Sequence, residues 1–480
     1  MTRKPALAAL ALTAALGTAL AGATAAAGTA AGAAPSAPRA AATADRGTPG
    51  HWTKVSTGSV GITFVPSVAR SGNGDLHLVY ARDLGTNTQL MHTSIHTNGH
   101  IGTQNAVVGG WSVMDSAPVV VSSSDGLRVL FGGQKDLTAG FWSLGKMYTA
   151  TADSNGSTWT LPAETVGENT NAYGSYGTGA TTLADGTPVA GFPLNKDFTW
   201  AVGTGGPDQN FSVSKCCMYS STMVRDGSNV WVAWYGNGST AATNGTFVKQ
   251  IYPTVGATLK APGSSKGTNS LPTGRVALAA RVGGGVFAAY CVGYPTCTAV
   301  RVWKVGTTKT TDAPHSKFAT TIGLSPGRSG RLWLAWSDNI PKVHALRTNT
   351  TGLVMGAVQN AGIPRGGAAY SLTIDGTIGR GDIVLNDGNG MWHTQVVAGL
   401  TLQASPASWR HHTRQKVTFT VTDAHDPVKG AKVAVGSSHC TTGNRGTCPI
   451  TFAPSYGQGK HTARATKSGY APATAWLKVR

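Results

Sequence analysis

The chain has 480 residues, 64 of them glycine, with only 12% charged side chains and a formal charge of +19. That length exceeds one ordinary domain, and abundant Gly, Val, Thr and Trp exclude a helical bundle in favour of an all-β protein with many tight turns. A charge this basic bears on partners rather than fold, and its scatter along the chain argues against nucleic acid.

The first residues, "MTRKPALAALALTAALGTALAGATAAA", place Arg3 and Lys4 ahead of an Ala/Gly-rich apolar run and small residues suited to cleavage. No stop-transfer segment follows, and no cysteine lies near for a lipid anchor, so the pattern is that of a secretory signal peptide. We expect a signal peptide over 1–33, a disordered Ala/Pro-rich linker over 34–49, no membrane span and a secreted protein in which disulfides are permissible.

From 50 to 400 one pattern recurs seven times: a short strand, a Gly/Asp/Asn turn, then an alternating apolar strand ending in polar residues. Examples are "SVARSGNGDLHLVYARD", "TMVRDGSNVWVAWYGNG" and "TTIGLSPGRSGRLWLAWSDN". The second strands begin near Leu76, Leu127, Thr187, Val230, Val286, Leu332 and Ile383, roughly every 50 residues. Four-stranded units at that spacing predict a seven-bladed β-propeller. "HWTKVST" is a spare strand without a hairpin partner, expected to close the ring as the outer strand of the last blade and so remove an exposed edge. Trp231, Trp234, Trp333 and Trp336 alternate along strands and are expected in the core. After 400 the chain changes character. Residues 401–480 have short alternating strands and read as a small Ig-like β-sandwich, carrying 11 Lys/Arg against Asp423 and Asp426, a net of +9.

In such a ring the loops entering first strands and the loops leaving second strands meet at one mouth. They supply the ligand-binding candidates Tyr176, Asn195, Asp197, Cys216, Cys217, Tyr219, Tyr235, Asn237, Asp338, Asn339, Arg365 and Asp387. Planar polar side chains of this kind suit carbohydrate hydroxyls, with aromatic faces covering the sugar's C–H surface; each residue taken alone also reads as an ordinary turn former. Of the six cysteines, Cys291–Cys297 and Cys440–Cys448 are spaced for local bridges. Cys216 and Cys217 then either bond to each other, giving a flat apolar ring at the mouth, or staple neighbouring blades through Cys291 or Cys297. No metal-ligand spacing, nucleophile elbow or phosphate loop occurs, so neither metal nor cofactor is expected.

"TADSNGSTWT" (Thr151–Thr160) resembles the Asp-box of the sialidase superfamily at Gly156, Thr158 and Trp159, with Asp153 one place early. The resemblance implies a sialidase-like propeller. The family's Arg-Ile-Pro element is absent, however, and Arg70, Arg225 and Arg281 fall at the far ends of first strands, so the catalytic constellation is not carried over. Glu164 and Glu168 beside Tyr173 and Tyr176 are the only place a Tyr/Glu pair could form. "VTFTVTDAHDPVKGAKV" and "GKHTARATKSGYAPA" resemble Ig-like modules of secreted bacterial proteins. The layout as a whole resembles the lectin subunits of secreted umbrella toxin particles, which implies membership of a larger complex.

The expected function is therefore non-catalytic, lectin-like binding of a cell-surface glycan through the mouth. The basic sandwich, with "WRHHTRQK" (Trp409–Lys416), would contact an anionic wall polymer or an acidic protein partner. The alternative is a divergent sialidase-type glycoside hydrolase.

Overall fold

The second strand of each repeat reads as a nearly unbroken apolar run because it is covered on both faces. In Leu76–Asp83, for example, the first six residues are all buried. A computed structural model describes residues 51–58, 60–114, 117–136, 146–161, 165–167, 177–213, 217–264, 275–293, 296–338, 342–364 and 367–480. Among the described residues the chain is all-β, with a single short 3-10 turn at Arg328–Gly330.

Up to Val396 the described strands pair into seven antiparallel sheets, numbered here in chain order by their second strands: Leu76–Asp83, Gly126–Gln134, Pro188–Leu194, Asn229–Asn237, Val286–Val292, Leu332–Asp338 and Gly381–Asn386. Each is a meander in which the first strand pairs only with the second. The first strand of every sheet lies against the first strand of the next, and that of sheet 7 lies against that of sheet 1. The ring is thereby closed around a central channel. Trp234, Trp333 and Trp336 are buried between sheets.

Closure uses both backbone and charge. Thr53–Lys54 pairs with Trp392–His393, so the spare N-terminal strand is the outer strand of sheet 7. Asn386 donates to the Gly61 and Phe64 carbonyls at 2.9 and 2.7 Å. Arg70 of sheet 1 reaches Asp375 and Asp382 of sheet 7, each at 2.7 Å. Asp382 is 1% exposed and also receives His393 at 2.9 Å. Its carboxyl is held below the ordinary range by His393, Arg380 and Arg70, against the opposing and largest influence of burial.

The Asp-box-like segment is a turn at the junction of sheets 1 and 2. Asp153 accepts the amide and hydroxyl of Ser157, each at 3.0 Å. Gly156 has φ +67°, and a Cβ there would stand 2.3 Å from the His92 ring, so only glycine fits. His92 lies under this turn, 2.9 Å from His77, and both imidazoles are buried.

Residues from Thr401 form two sheets packed face to face over Trp409, Phe419, Phe452 and Leu477. Cys440–Cys448 joins them. Trp409 is 7% exposed and stacks on Phe452, so the tryptophan of "WRHHTRQK" belongs to the core and is not offered to a partner. The sandwich docks through its two carboxylates: Arg331 meets Asp426 at 2.6 Å and Asp423 at 3.3 Å. Arg347 also binds Asp423, and it lies over the Tyr470 ring at 5.4 Å.

Candidate functional site

Antiparallel pairing puts the start of each first strand beside the end of its second strand, so the rim candidates fall at one end of the ring. Several come together where sheet 3 meets sheet 4. The Asn195 carbonyl accepts the Met218 amide at 2.7 Å, and the Cys217 carbonyl accepts the Asn237 amide at 2.9 Å. Tyr219 stands opposite Tyr235, with ring centroids 6.5 Å apart. The register slips between Tyr219 and Thr222, and Ser220 takes φ +57°. Such a bulge re-aims a strand end. Here it lets the Ser221 hydroxyl donate to the Gly177 carbonyl just ahead of sheet 3 at 2.7 Å, while the Ser220 carbonyl accepts the Val276 amide ahead of sheet 5 at 3.3 Å. Three sheets are thus cross-tied at this point.

The remaining described candidates serve their own turns. Asn195 sits in the left-handed region at φ +55°. Asp338 accepts the Lys342 amide at 3.1 Å and meets His344 at 3.1 Å. Asp387 is buried and accepts the Asn389 amide at 2.8 Å. Asp197 accepts the Ser212 hydroxyl. Tyr176, Cys216, Asn339 and Arg365 lie outside the described residues, as do Glu164, Glu168 and Tyr173. Cys291 bonds to Cys297, so the cross-blade staple to either of them is excluded; Cys217 is itself disulfide-bonded.

Beside these rim residues, between sheets 3 and 4, lies a cleft of about 240 Å³ lined by Ser212, Trp234, Gly236, Ala242, Thr243, Phe247 and Thr258, among others. Trp234 stacks on Phe247 with centroids 5.7 Å apart and planes at 17°, and Phe211 lies 5.3 Å from Trp234. Gly236 is required for close approach, because a Cβ there would meet the Phe247 ring at 2.8 Å. Lys249 stands 5.1 Å over Phe211 and donates to Thr258 at 3.3 Å, and Lys260 stands 6.0 Å over Phe247. Burial lowers the pKa of both ammonium groups. Aromatic rings and hydroxyls therefore line a volume below that of a drug-sized site, with the two cations outside its lining.

The central channel offers different chemistry. Its cavity of about 470 Å³ is lined by the first strands of all seven sheets, mostly Val, Ala, Ser and Thr. Arg275, just ahead of sheet 5, donates to the Ala117 and Pro118 carbonyls ahead of sheet 2. Those sheets are not neighbours in the ring, so this side chain crosses the channel mouth. At the opposite end Arg70 binds the Gly74 carbonyl at 2.7 Å and Arg281 the Thr350 carbonyl at 2.8 Å.

Sequence reasoning missed Arg275, although it occupies the same pre-strand position as the chosen rim residues. It also missed the exposed Phe318 and Tyr370. Their signal was available: an aromatic residue stands one to three places ahead of several first strands, as at Phe64, Phe318 and Tyr370.

No protein-family model matches the chain, and no curated protein matches it. Solved structures similar to it include a polysaccharide lyase, Uly1, at 10% identity and TM-score 0.43, covering 72% of this chain and 99% of that one. The fungal lectin of Aleuria aurantia, described as a six-bladed β-propeller with a fucose recognition mode, is 11% identical with TM-score 0.38, covering 70% and 93%. A family 117 glycoside hydrolase of the marine bacterium Zobellia galactanivorans is 10% identical with TM-score 0.33, covering 45% and 76%. Likenesses this distant assign no ligand and no activity to this chain.

Proposed function

We propose that the chain is a secreted, lectin-like protein, a seven-bladed β-propeller carrying an Ig-like sandwich, which binds cell-surface glycan in the cleft between its third and fourth sheets. The observation that carries this reading is the cleft itself, where Trp234 and Phe247 line an apolar floor beside Ser212, Thr243 and Thr258. A pyranose presents one C–H face and a fan of hydroxyls. The buried Trp234 and Phe247 give the cleft an apolar floor for the first, and the hydroxyls of its lining meet the second. Tyr235 and Asn237 flank Gly236, and Asp197 orients Ser212, so the rim residues act by holding the cleft open and shaped.

The test is a glycan array probed with the secreted protein and with Ala242→Trp. Ala242 is exposed at the cleft, so the bulky ring fills the space without entering the core. The expected result is retention of a defined glycan set by the wild type and its loss in the variant, with an unchanged melting temperature. A wild type that retains no glycan, or a variant that retains the same set, overturns the reading. Release of reducing sugar, abolished by Glu168→Gln or Tyr176→Phe, would replace it with the glycoside hydrolase.

A further inference from the structure

The sandwich contains only two acidic residues, Asp423 and Asp426, and both face the arginines of the ring. Docking therefore pairs both negative side chains of this module with arginines of the ring. Among the described residues none of its 11 lysines and arginines is in an ion pair. The positive charge is not evenly spread. On the larger sheet, core-facing Val433, Ala463, Ala465, Leu477 and Val479 alternate with exposed residues on adjacent strands.

That outer face carries Lys432, Lys460, Arg464 and Lys478, with Trp476 among them. Lys460 stands directly opposite Lys478 across the ladder. Like charges so placed destabilise a sheet, and no carboxylate on this face relieves them. Trp476 is 55% exposed, opposite Thr462, and the Lys460 ammonium lies 3.7 Å over its ring. An indole left in water at the centre of an uncompensated cationic face is poor design for a surface that only keeps a protein soluble.

We infer that this face is a second binding site, a flat platform for an anionic polysaccharide. Charge complementarity selects a polyanion: Lys460 and Lys478 stand side by side, Arg464 lies four residues farther along the Lys460 strand, and Lys432 stands opposite Thr466 beyond it. The cations thus run along the sheet in a line that successive acidic residues of an extended chain can follow. The indole, ringed by threonines rather than further aromatics, selects sugar. A pyranose stacked on Trp476 brings its own carboxylate, sulfate or phosphate to Lys460 and Lys478. The site shares no residue with the cleft between sheets 3 and 4 and does not depend on that reading.

The test uses the whole secreted protein and immobilised dextran sulfate, with neutral dextran as the matched backbone and polyphosphate and duplex DNA as charge-only probes. Dextran sulfate is expected to retain the wild type and dextran to release it. Lys460→Gln with Lys478→Gln is expected to weaken retention on the order of tenfold and flatten its salt dependence. The melting temperature should hold or rise as the repulsion is relieved. Trp476→Ala is expected to weaken dextran sulfate binding about fivefold and leave polyphosphate binding unchanged, while Ala242→Trp leaves both unchanged. Failure of the wild type to bind dextran sulfate overturns the proposal, as does binding indifferent to all three platform substitutions. Equal binding of polyphosphate or DNA, with no contribution from Trp476, overturns it too, because the face would then recognise charge alone.

Discussion

Two junctions of the ring solve the same packing problem in opposite ways. Where sheet 7 meets sheet 1, Arg70, Asp375, Asp382 and His393 fill the seam with paired charge, and the chain's own first strand is laid over the outside. Where sheet 3 meets sheet 4, the seam is tied by backbone groups at the rim and left partly empty between aromatic faces. The difference follows from connectivity. Sheets 3 and 4 are joined by continuous chain, so their seam needs no further fastening and is free to accommodate a ligand. Sheet 7 is joined to sheet 1 only through the Thr53–Lys54 strand, which is held to Trp392–His393 by backbone pairing, so the ring stays closed only as long as noncovalent contacts hold it.

The comparison breaks most readily at the charged seam. Asp382→Ala removes the buried carboxylate that both Arg70 and His393 bond and leaves Arg70 with Asp375 alone, and a loss of about 3 kcal/mol is expected in chemical denaturation. If the protein remains folded, glycan retention at the cleft is expected to persist. A cost near zero would show that the seam is not what closes the ring.

A smaller effect is expected at the junction of sheets 1 and 2. Gly156→Ala both strains a positive φ and drives a methyl into His92, costing about 1–3 kcal/mol; denaturant midpoints of the two proteins measure it.

Acid sharpens the same point. Burial holds the His77 pKa down to about 4 and that of His92 to about 3. For His77 the neighbouring His96 and Arg70 act in the same direction and Asp75 and Asp153 against it; for His92, His77 lowers while Asp153 and the Gly156 backbone raise. The folded values lie below the unfolded value near 6.5, so the unfolded chain binds more protons as pH falls. Their contribution to stability is complete above about pH 6.5 and declines toward pH 4 and below. His77→Gln should flatten the acid limb of a melting-temperature profile, and an unchanged limb would contradict the assignment.

The smallest effect is expected at the rim: Asn237→Ala, exposed and joined to Cys217 through its backbone, should shift stability by less than about 0.5 kcal/mol. It should weaken glycan retention only modestly.

The ring was legible because each repeat carries its own turn and its own buried second strand, both of which are local features. Thr53–Lys54 was legible for a related reason, as an apolar-polar strand with nothing beside it to pair with. The cleft was not. Trp234 reads as core from its alternation along the strand, and it is buried, yet its ring also borders a cavity left by the small Gly236 on its own strand and by Ala242 and Thr258 from other segments. Asp338 and Asp387 illustrate the converse. Their residue type suggested a ligand, and their hydrogen bonds go to turns a few residues away. Sequence shows which groups a loop contains but not which of them the loop uses for itself. The role of Trp409 was hidden in the same way, since a tryptophan followed by Arg410, Arg414 and Lys416 looks exposed until the second sheet is packed against it.

Titration calorimetry with the tightest glycan from the array tests the central claim most directly. The cleft account predicts binding heat for the wild type and for Trp476→Ala alike, and none for Ala242→Trp. Undiminished heat from Ala242→Trp would place the sugar elsewhere and contradict it.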